Sequence, residues 1–329
     1  MSGIIISTVE RKTTLREREN IMARNTPAMK TDWDYTVVMD QLQHNGRNIK
    51  GHRYAVKLGE NGQADQVLSS GHSDHYRAVN NRDVIESVRN AFDAAGMDWQ
   101  GSYTNRHGVT EQVEDIRVTG DYTKMYARYN FMENVIEIPK VKDTLGLRLT
   151  AHNSFDRGSR VYFSVGAVRL VCTNGMTATE QAFSLFQKHS TKLNLNFIND
   201  ALEGAMKAFE SLGNEDNMYS QMAGVEVTQE EGLAILSNLT ISEVHRKGIA
   251  QVWNSPNFAE DSDRTVYNLL NASTDFLTHE VEGSQGRFEL AGKSTSSITD
   301  QLHRIAIDPT KLGKAKVMKK DSSLALEIA

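Results

Sequence analysis

The sequence has little cysteine and proline, and it lacks long hydrophobic runs. Cys172 is the only cysteine among 329 residues, which excludes an intrachain disulfide framework and indicates a reducing compartment. Its apolar runs are far shorter than the roughly 20 residues that cross a bilayer. The run Ile4–Ile6 is also too short for the core of a secretory signal. We therefore expect a cytoplasmic protein with no membrane partner.

Charge is distributed unevenly along the chain. The formal net charge is −5, which argues against a protein that coats duplex DNA by charge alone. Between residues 140 and 169, however, six basic residues stand against two acidic ones. Between residues 200 and 231, eight acidic residues stand against Lys207. One region is suited to a polyanion, whereas the other would repel a polyanion or contact a basic partner.

The patterning predicts an α+β fold, with an antiparallel, curved sheet in the N-terminal half and a helical C-terminal half. With four prolines and no repeat, no linker divides the chain. We expect a flexible arm over 1–30, an α/β core over 31–190, a helical region packed on it over 191–314 and a polar tail over 315–329.

Two periodicities support this division. Alternation of polar and apolar residues predicts strands over 124–131, 146–152 and 160–172, with a turn at Gly158-Ser159. Helical spacing predicts helices over 82–95, 197–212 and 264–279. Thr228 with Glu231 is a capping-box pattern that opens another helix, and Ser242 is a candidate cap for the next.

The three predicted strands share an unusual polar face. Side chains alternate between the two faces of a strand, so one face collects basic and aromatic residues without a carboxylate. Base stacking on aromatic rings, with phosphate contacts from Arg and Lys, is how single-strand binders work; an ordinary solvated sheet face is the alternative. Together with Arg157 in the adjoining turn, the predicted nucleic-acid-binding residues are Lys124, Tyr126, Arg128, Arg148, His152, Arg157, Arg160 and Tyr162.

No motif predicts a cofactor, a metal or a named reaction. His72, Asp74 and His75 are potential ligands in one loop, but a zinc site needs three or four ligands fixed by rigid elements. We therefore interpret this segment as a polar loop. His152 with Asp156 is a conceivable hydrolytic pair, although no Gly-x-Ser-x-Gly elbow accompanies it.

Two segments carry a resemblance to a known family. Asn153–Ser159 and then Arg169–Met176 resemble the signature of the phage/plasmid-like family called domain of unknown function 932. Its pattern runs Asn-Ser-x-Asp-Gly-Ser, a β-run and Arg-Leu-Val-Cys-x-Asn-Gly-Met; here Arg157 is inserted before Gly158. Weaker similarity lies at Tyr76–Asn80 and Tyr267–Asp275, so the resemblance spans roughly residues 75 to 280.

The resemblance implies a phage or plasmid accessory protein. With the basic face, it favours a non-catalytic protein that binds or anneals single-stranded nucleic acid as a homo-oligomer. Single-strand annealing proteins also use a bent antiparallel sheet with a basic groove, which is an analogy of fold. Two alternatives stay open: a counter-defence or regulatory factor that binds a host protein through its acidic segment, and a hydrolase of unknown substrate that uses His152 and Asp156.

Overall fold

The computed structural model describes residues 29–104, 109–141, 143–170, 175–176, 184–277, 291–319 and 324. The predicted α+β class is confirmed, because the strands lie in the first part of this range and most helices lie in the second. Within the described ranges, no helix is both long and apolar enough to cross a bilayer.

The first sheet is a three-stranded antiparallel meander. Its strands are β1 (Val37–His44), β2 (Arg47–Leu58) and β3 (Ala64–His72), in that order across the sheet. Asn45 and Gly46 join β1 to β2 with φ values of 49° and 70°. Asn-Gly is the residue pair that best tolerates two positive φ angles in a tight hairpin turn. Lys57 on β2 lies over the ring of Tyr122. Tyr122 just precedes a strand of the larger, central sheet, so the meander is packed against that sheet.

The central sheet contains the strands that the alternation predicts. It is formed by β6 (Glu114–Val118), β7 (Lys124–Ile138), β8 (Asp143–Ser154), β9 (Val161–Arg169), β10 (Gly175–Met176) and β11 (Ser184–Gln187). All pairings are antiparallel, in the order β6-β7-β8-β9. Both β10 and β11 pair with β9 along its outer edge. A separate small hairpin pairs β4 (Ser102–Thr104) with β5 (Thr110–Gln112).

The core lies between the apolar face of the central sheet and the first helices. Helix α1 (Asn81–Ala94) presents Phe92, whose ring centroid lies 4.8 Å from that of Tyr129 and 5.2 Å from that of Phe131. Helix α2 (Phe197–Glu210) packs against β9. The apolar stripe of each helix is thus buried on the sheet, which is the main source of stability for helices of this length.

The remaining helices form the C-terminal half. They are α3 (Met218–Ala223), α4 (Gln229–Asn238), α5 (Glu243–Asn254), α6 (Val266–Asp275), α7 (Ala291–Ala306) and α8 (Pro309–Ala315). The predicted caps are confirmed: Thr228 and Glu231 form a capping box at α4, and the Ser242 side chain accepts the amide of His245 at α5. Every residue of α6 is buried, so this helix lies at the centre of the helical half.

Some described residues of the predicted arm and tail contact the rest of the protein. Residues 1–28 lie outside the described part, but Lys30 forms a β-bridge with Val118. At the other end Ala315 and Leu324 are buried. The backbone oxygens of Ala315 and Val317 accept hydrogen bonds from the Asn238 amide. Apolar side chains and these backbone contacts pack part of the predicted polar tail onto α4.

Candidate nucleic-acid interface

The structure brings most of the predicted binding residues onto one face of the central sheet, here called the basic face. Tyr126 on β7 lies opposite His152 on β8, which in turn lies opposite Tyr162 on β9. Arg128 and Arg148 occupy diagonal positions on β7 and β8, because Arg128 pairs with Thr150 and Arg148 with Asn130. The basic face comprises Lys124, Tyr126, Arg128, Arg148, His152, Arg160, Tyr162 and Phe186.

An aromatic row crosses the basic face. The ring centroids of Tyr126 and His152 are 4.5 Å apart, and those of His152 and Tyr162 are 4.8 Å apart and nearly parallel. Tyr126 and His152 are only 4% and 2% exposed, whereas Tyr162 is half-buried. The two inner rings therefore support the row and offer almost no surface of their own.

Phe186 extends this row to the sheet edge, and the sequence interpretation missed it. It lies on β11 directly opposite Tyr162, and it is 53% exposed. The guanidinium of exposed Arg160 lies 4.2 Å from the Phe186 ring centroid, in a cation–π contact. An exposed large aromatic residue beside an arginine is a platform on which a nucleobase can stack. The available signal was the apolar pair Leu185-Phe186 within an otherwise polar stretch.

Two arginines stand side by side next to the aromatic row. The Arg148 Nε donates to Asn130 Oδ1 at 2.7 Å, and Asn130 Nδ2 donates to the Tyr103 hydroxyl at 3.1 Å. Burial lowers the pKa of Arg148, and burial together with the charge of Arg148 lowers the pKa of Arg128 to about 9. Guanidinium groups stay cationic at neutral pH, and an anion placed between the two would offset their desolvation and the repulsion between them.

The basic face contains one carboxylate that the three predicted strands do not show. Strand β6 places Asp115 opposite Arg128, and Asp115 accepts a hydrogen bond from Arg117 at 2.6 Å. At the other end of the face, Lys124 lies 3.7 Å from Asp156. The absence of carboxylates therefore applies to residues 124–131 of β7, 146–152 of β8 and the strand β9; it ends at the neighbouring strand and turn, and at Glu137 on β7, which pairs with Thr144.

The turn between β8 and β9 places Arg157 away from the aromatic row. Arg157 has a φ of 63°, which is uncommon for a residue with a side chain, and its Nη1 donates to the backbone oxygen of Gly71 at 2.9 Å. Its exposed side chain thus joins the basic face to the end of β3. The predicted turn at Gly158 is confirmed, since the Gly158 amide donates to Asp156 Oδ1 at 2.7 Å.

The hydrolytic pair receives no support from this turn. The ring nitrogen Nε2 of His152 is hydrogen-bonded to the Ser159 hydroxyl. The Asp156 carboxylate instead contacts the Gly158 amide and Lys124. Within the described residues, no group of three His, Cys, Asp or Glu side chains is arranged to hold a metal ion, and this includes the loop of His72, Asp74 and His75.

Several residues of the signature segments have structural roles. Buried Asn153 donates to the Val79 carbonyl at 2.8 Å and to Asn81 Oδ1 at 2.9 Å, which fixes β8 against the start of α1. Arg169 is 1% exposed and contacts Asp143 and Asp261, each at 2.7 Å. Cys172 lies outside the described residues. These contacts assign the signature mainly to folding.

The weaker segment of resemblance, Tyr267–Asp275, meets Arg169 of the signature in this buried network. The Tyr267 hydroxyl donates to Asp143 Oδ2 at 2.9 Å, and Asn271 Nδ2 donates to Asp261 Oδ1 at 3.0 Å. Arg169 therefore links the end of β9 to α6 through two carboxylates. The sequence interpretation counted Arg169 among the basic residues and did not foresee these partners, which are distant along the chain.

The comparisons with known proteins identify a family without an activity. A family profile described as a domain of unknown function (DUF932) matches residues 68–305, more than half of the chain. No curated protein and no solved structure matches the chain.

Proposed function

The chain belongs to the family of domain of unknown function 932, and since that description states no activity, we propose from the geometry that it binds single-stranded nucleic acid and promotes annealing. The observation that supports this most is the aromatic row, which ends in exposed Phe186 beside Arg160. Rows of aromatic rings bind nucleobases by stacking, and this binding tolerates any base sequence in the nucleic acid.

The arginine pair supplies the second element of the proposal. Arg128 and Arg148 lie on the same face as Tyr162; Arg128 is two residues along β7 from Tyr126, and Arg148 is four residues along β8 from His152. Guanidinium groups bind phosphates with planar, paired hydrogen bonds. A strand that stacks its bases on Phe186 and Tyr162 would direct its phosphates towards this pair and towards Arg160. Arginine side chains bind phosphates without transferring protons, so the proposal assigns binding and not catalysis.

A fluorescent single-stranded oligonucleotide tests the proposal. We expect anisotropy to show binding at low salt that weakens steeply as salt increases. The double variant Arg128→Gln/Arg148→Gln should lose at least about tenfold in affinity, because phosphate contacts account for much of the binding. The matched control is Lys311→Gln/Lys314→Gln, which removes the same charge from exposed positions on α8. Absence of binding at low salt, or equal affinity of the two double variants, would contradict the proposal.

Self-association and a host-protein partner are separate proposals. The acidic residues of the 200–231 segment are mostly exposed, including Asp200, Glu203 and Glu215. This surface would repel a nucleic acid and is suited to a basic protein surface. A stoichiometric host partner lost on substituting these three residues, with no oligonucleotide binding, would favour the counter-defence hypothesis. Light scattering at several protein concentrations tests the homo-oligomer.

A further inference from the structure

The β1–β2 hairpin tip is an exposed basic ribbon, here called the basic hairpin and defined as residues 41–53. Residues 42–48 and 50–52 are all exposed, and the Asn45-Gly46 turn lies at the tip. Between Gln41 and Gly59 the sequence contains no Asp or Glu. This ribbon therefore carries positive charge only, in a chain whose net charge is negative.

Its cations are available to a ligand. Arg47 and Lys50 are exposed and form no ion pair with any described residue. Protein surfaces usually intersperse charges of both signs, so two cations without nearby carboxylates on a projecting element indicate an anionic partner. His44 and His52 add further polar groups on the same ribbon.

A large bulge sets the direction of Lys50. Gln43 pairs with Asn48 and Gln41 pairs with Arg53, so residues 49–52 of β2 lie opposite Leu42 alone. Gly51 has a φ of 76°, which a glycine adopts without strain. Such insertions bend a strand and redirect its side chains, and they are common near functional sites. The bend presents Lys50 on an exposed segment.

The base of the hairpin adjoins the basic face. Arg53 donates to the Tyr76 carbonyl at 3.3 Å, and it pairs across the sheet with His72 at the end of β3. Arg157 donates to the neighbouring Gly71 carbonyl at 2.9 Å. Basic residues thus follow one another from Arg47 and Lys50 through Arg53 to Arg157, and from there to Arg160.

We propose that the basic hairpin binds the sugar-phosphate backbone of double-stranded DNA, at a site separate from the basic face. A two-stranded β-ribbon fits the major groove of B-form DNA, which is about 12 Å wide. The hairpin has no Phe, Tyr or Trp between residues 41 and 53, and single-strand binding depends on stacking on aromatic rings. Charge without the large rings of Phe, Tyr or Trp therefore favours a duplex backbone, and this inference does not require the single-strand proposal.

The test compares a blunt fluorescent duplex with a single strand of the same length. For Arg47→Gln/Lys50→Gln we expect duplex affinity at about 50 mM salt to decrease on the order of ten- to a hundredfold. The slope of log affinity against log salt should become shallower by about 1.8, because two phosphate contacts are lost. Single-strand affinity should stay within about twofold, and Lys311→Gln/Lys314→Gln should bind the duplex like the parent protein.

Two results would overturn the inference. The first is that duplex affinity and its salt slope are unchanged in Arg47→Gln/Lys50→Gln. The second is an equal loss of affinity for the duplex and the single strand, which would make the hairpin part of the single-strand site. A change in oligomeric state on substituting Arg47 and Lys50, with duplex binding intact, would make it a protein contact instead. If the parent protein binds duplex through the hairpin but never binds a single strand, the single-strand proposal fails and this inference stands.

Discussion

The central sheet contains arginines in two contrasting environments. Arg169, at the end of β9, contacts the carboxylates of Asp143 and Asp261 and is almost fully buried. Burial acts to lower the pKa of Arg169, but Tyr267 and the two carboxylates outweigh it and raise the pKa. Arg128 and Arg148 lie beside each other on the other face of the sheet, and the pKa of each is lowered by burial.

This difference separates an internal ion network from a candidate binding surface. A buried cation whose partners all come from the chain stabilises one arrangement of that chain. Two adjacent cations whose pKa values are lowered are kept together at a cost in free energy. A bound polyanion would offset that cost. Under the proposed function, Arg169 would serve the fold and the Arg128–Arg148 pair would serve a ligand.

Replacing Arg169 should have the largest effect. Arg169→Leu leaves Asp143 and Asp261 buried without their cation, so we expect the free energy of unfolding to decrease by about 3–5 kcal/mol. Urea denaturation measures this. Arg160→Ala, at an exposed position, should change stability by less than about 0.5 kcal/mol. If Arg169→Leu were as stable as the parent, the network would not have the structural role assigned here.

The buried His189 tests whether burial disfavours a cation, with a side chain that can lose its charge. Burial lowers the pKa of His189 to about 4, and the charge of His72 adds to this. The pKa of His189 is lower in the folded state than its unfolded value near 6.5. The contribution of neutral His189 to the free energy of unfolding is therefore present above pH 6.5 and is lost as the pH decreases towards 4. The expected loss is up to about 3 kcal/mol by urea denaturation at several pH values. His189→Phe should have a shallower pH dependence; an identical pH profile would contradict the assignment.

Phe186 and Leu185 form a matched pair on opposite faces of β11. Phe186 lies opposite Tyr162 and Leu185 opposite Phe163, and both are exposed, at 53% and 40%. Phe186→Ala should weaken single-strand binding by about 1–3 kcal/mol, the usual contribution of one stacked base. Leu185→Ala should leave affinity unchanged in the same anisotropy titration. Equal losses would show that β11 acts through its fold and not through the basic face.

The smallest effect on stability is expected at Arg148. Arg148→Met removes one hydrogen bond to Asn130 and also the repulsion of Arg128. These terms oppose each other, so the free energy of unfolding should change by less than about 1 kcal/mol. The variant should nevertheless lose oligonucleotide affinity. A stability loss as large as that of Arg169→Leu would remove the contrast between the two arginine environments.

Local patterns in the sequence predicted much of the fold. Alternation over 124–131 gave the correct face for each residue, because the strand period of two needs no knowledge of neighbours. The capping box of Thr228 and Glu231 is equally local. The Asn45-Gly46 turn is also a local signal, but the interpretation passed over it and with it the basic hairpin.

Long-range contacts explain what the sequence did not predict about the site. Asp115 lies opposite Arg128 because β6 is the neighbour of β7 in the sheet. Alternation within one strand carries no information about which strand lies beside it. The short edge strand with Phe186 follows a stretch without clear periodicity. The face was therefore predictable, whereas its boundary and its most exposed ring were not.

From the Arg169 network we also expect a particular order of assembly. Asp143 and Arg169 are 26 residues apart, whereas Asp261 is 92 residues from Arg169 and Tyr267 is 124 residues from Asp143. Closing a longer loop costs more conformational entropy, and such contacts form late in folding. During synthesis the sheet can complete its own ion pair long before the helical half leaves the ribosome. We expect the second carboxylate and Tyr267 to join a cation that is already in place.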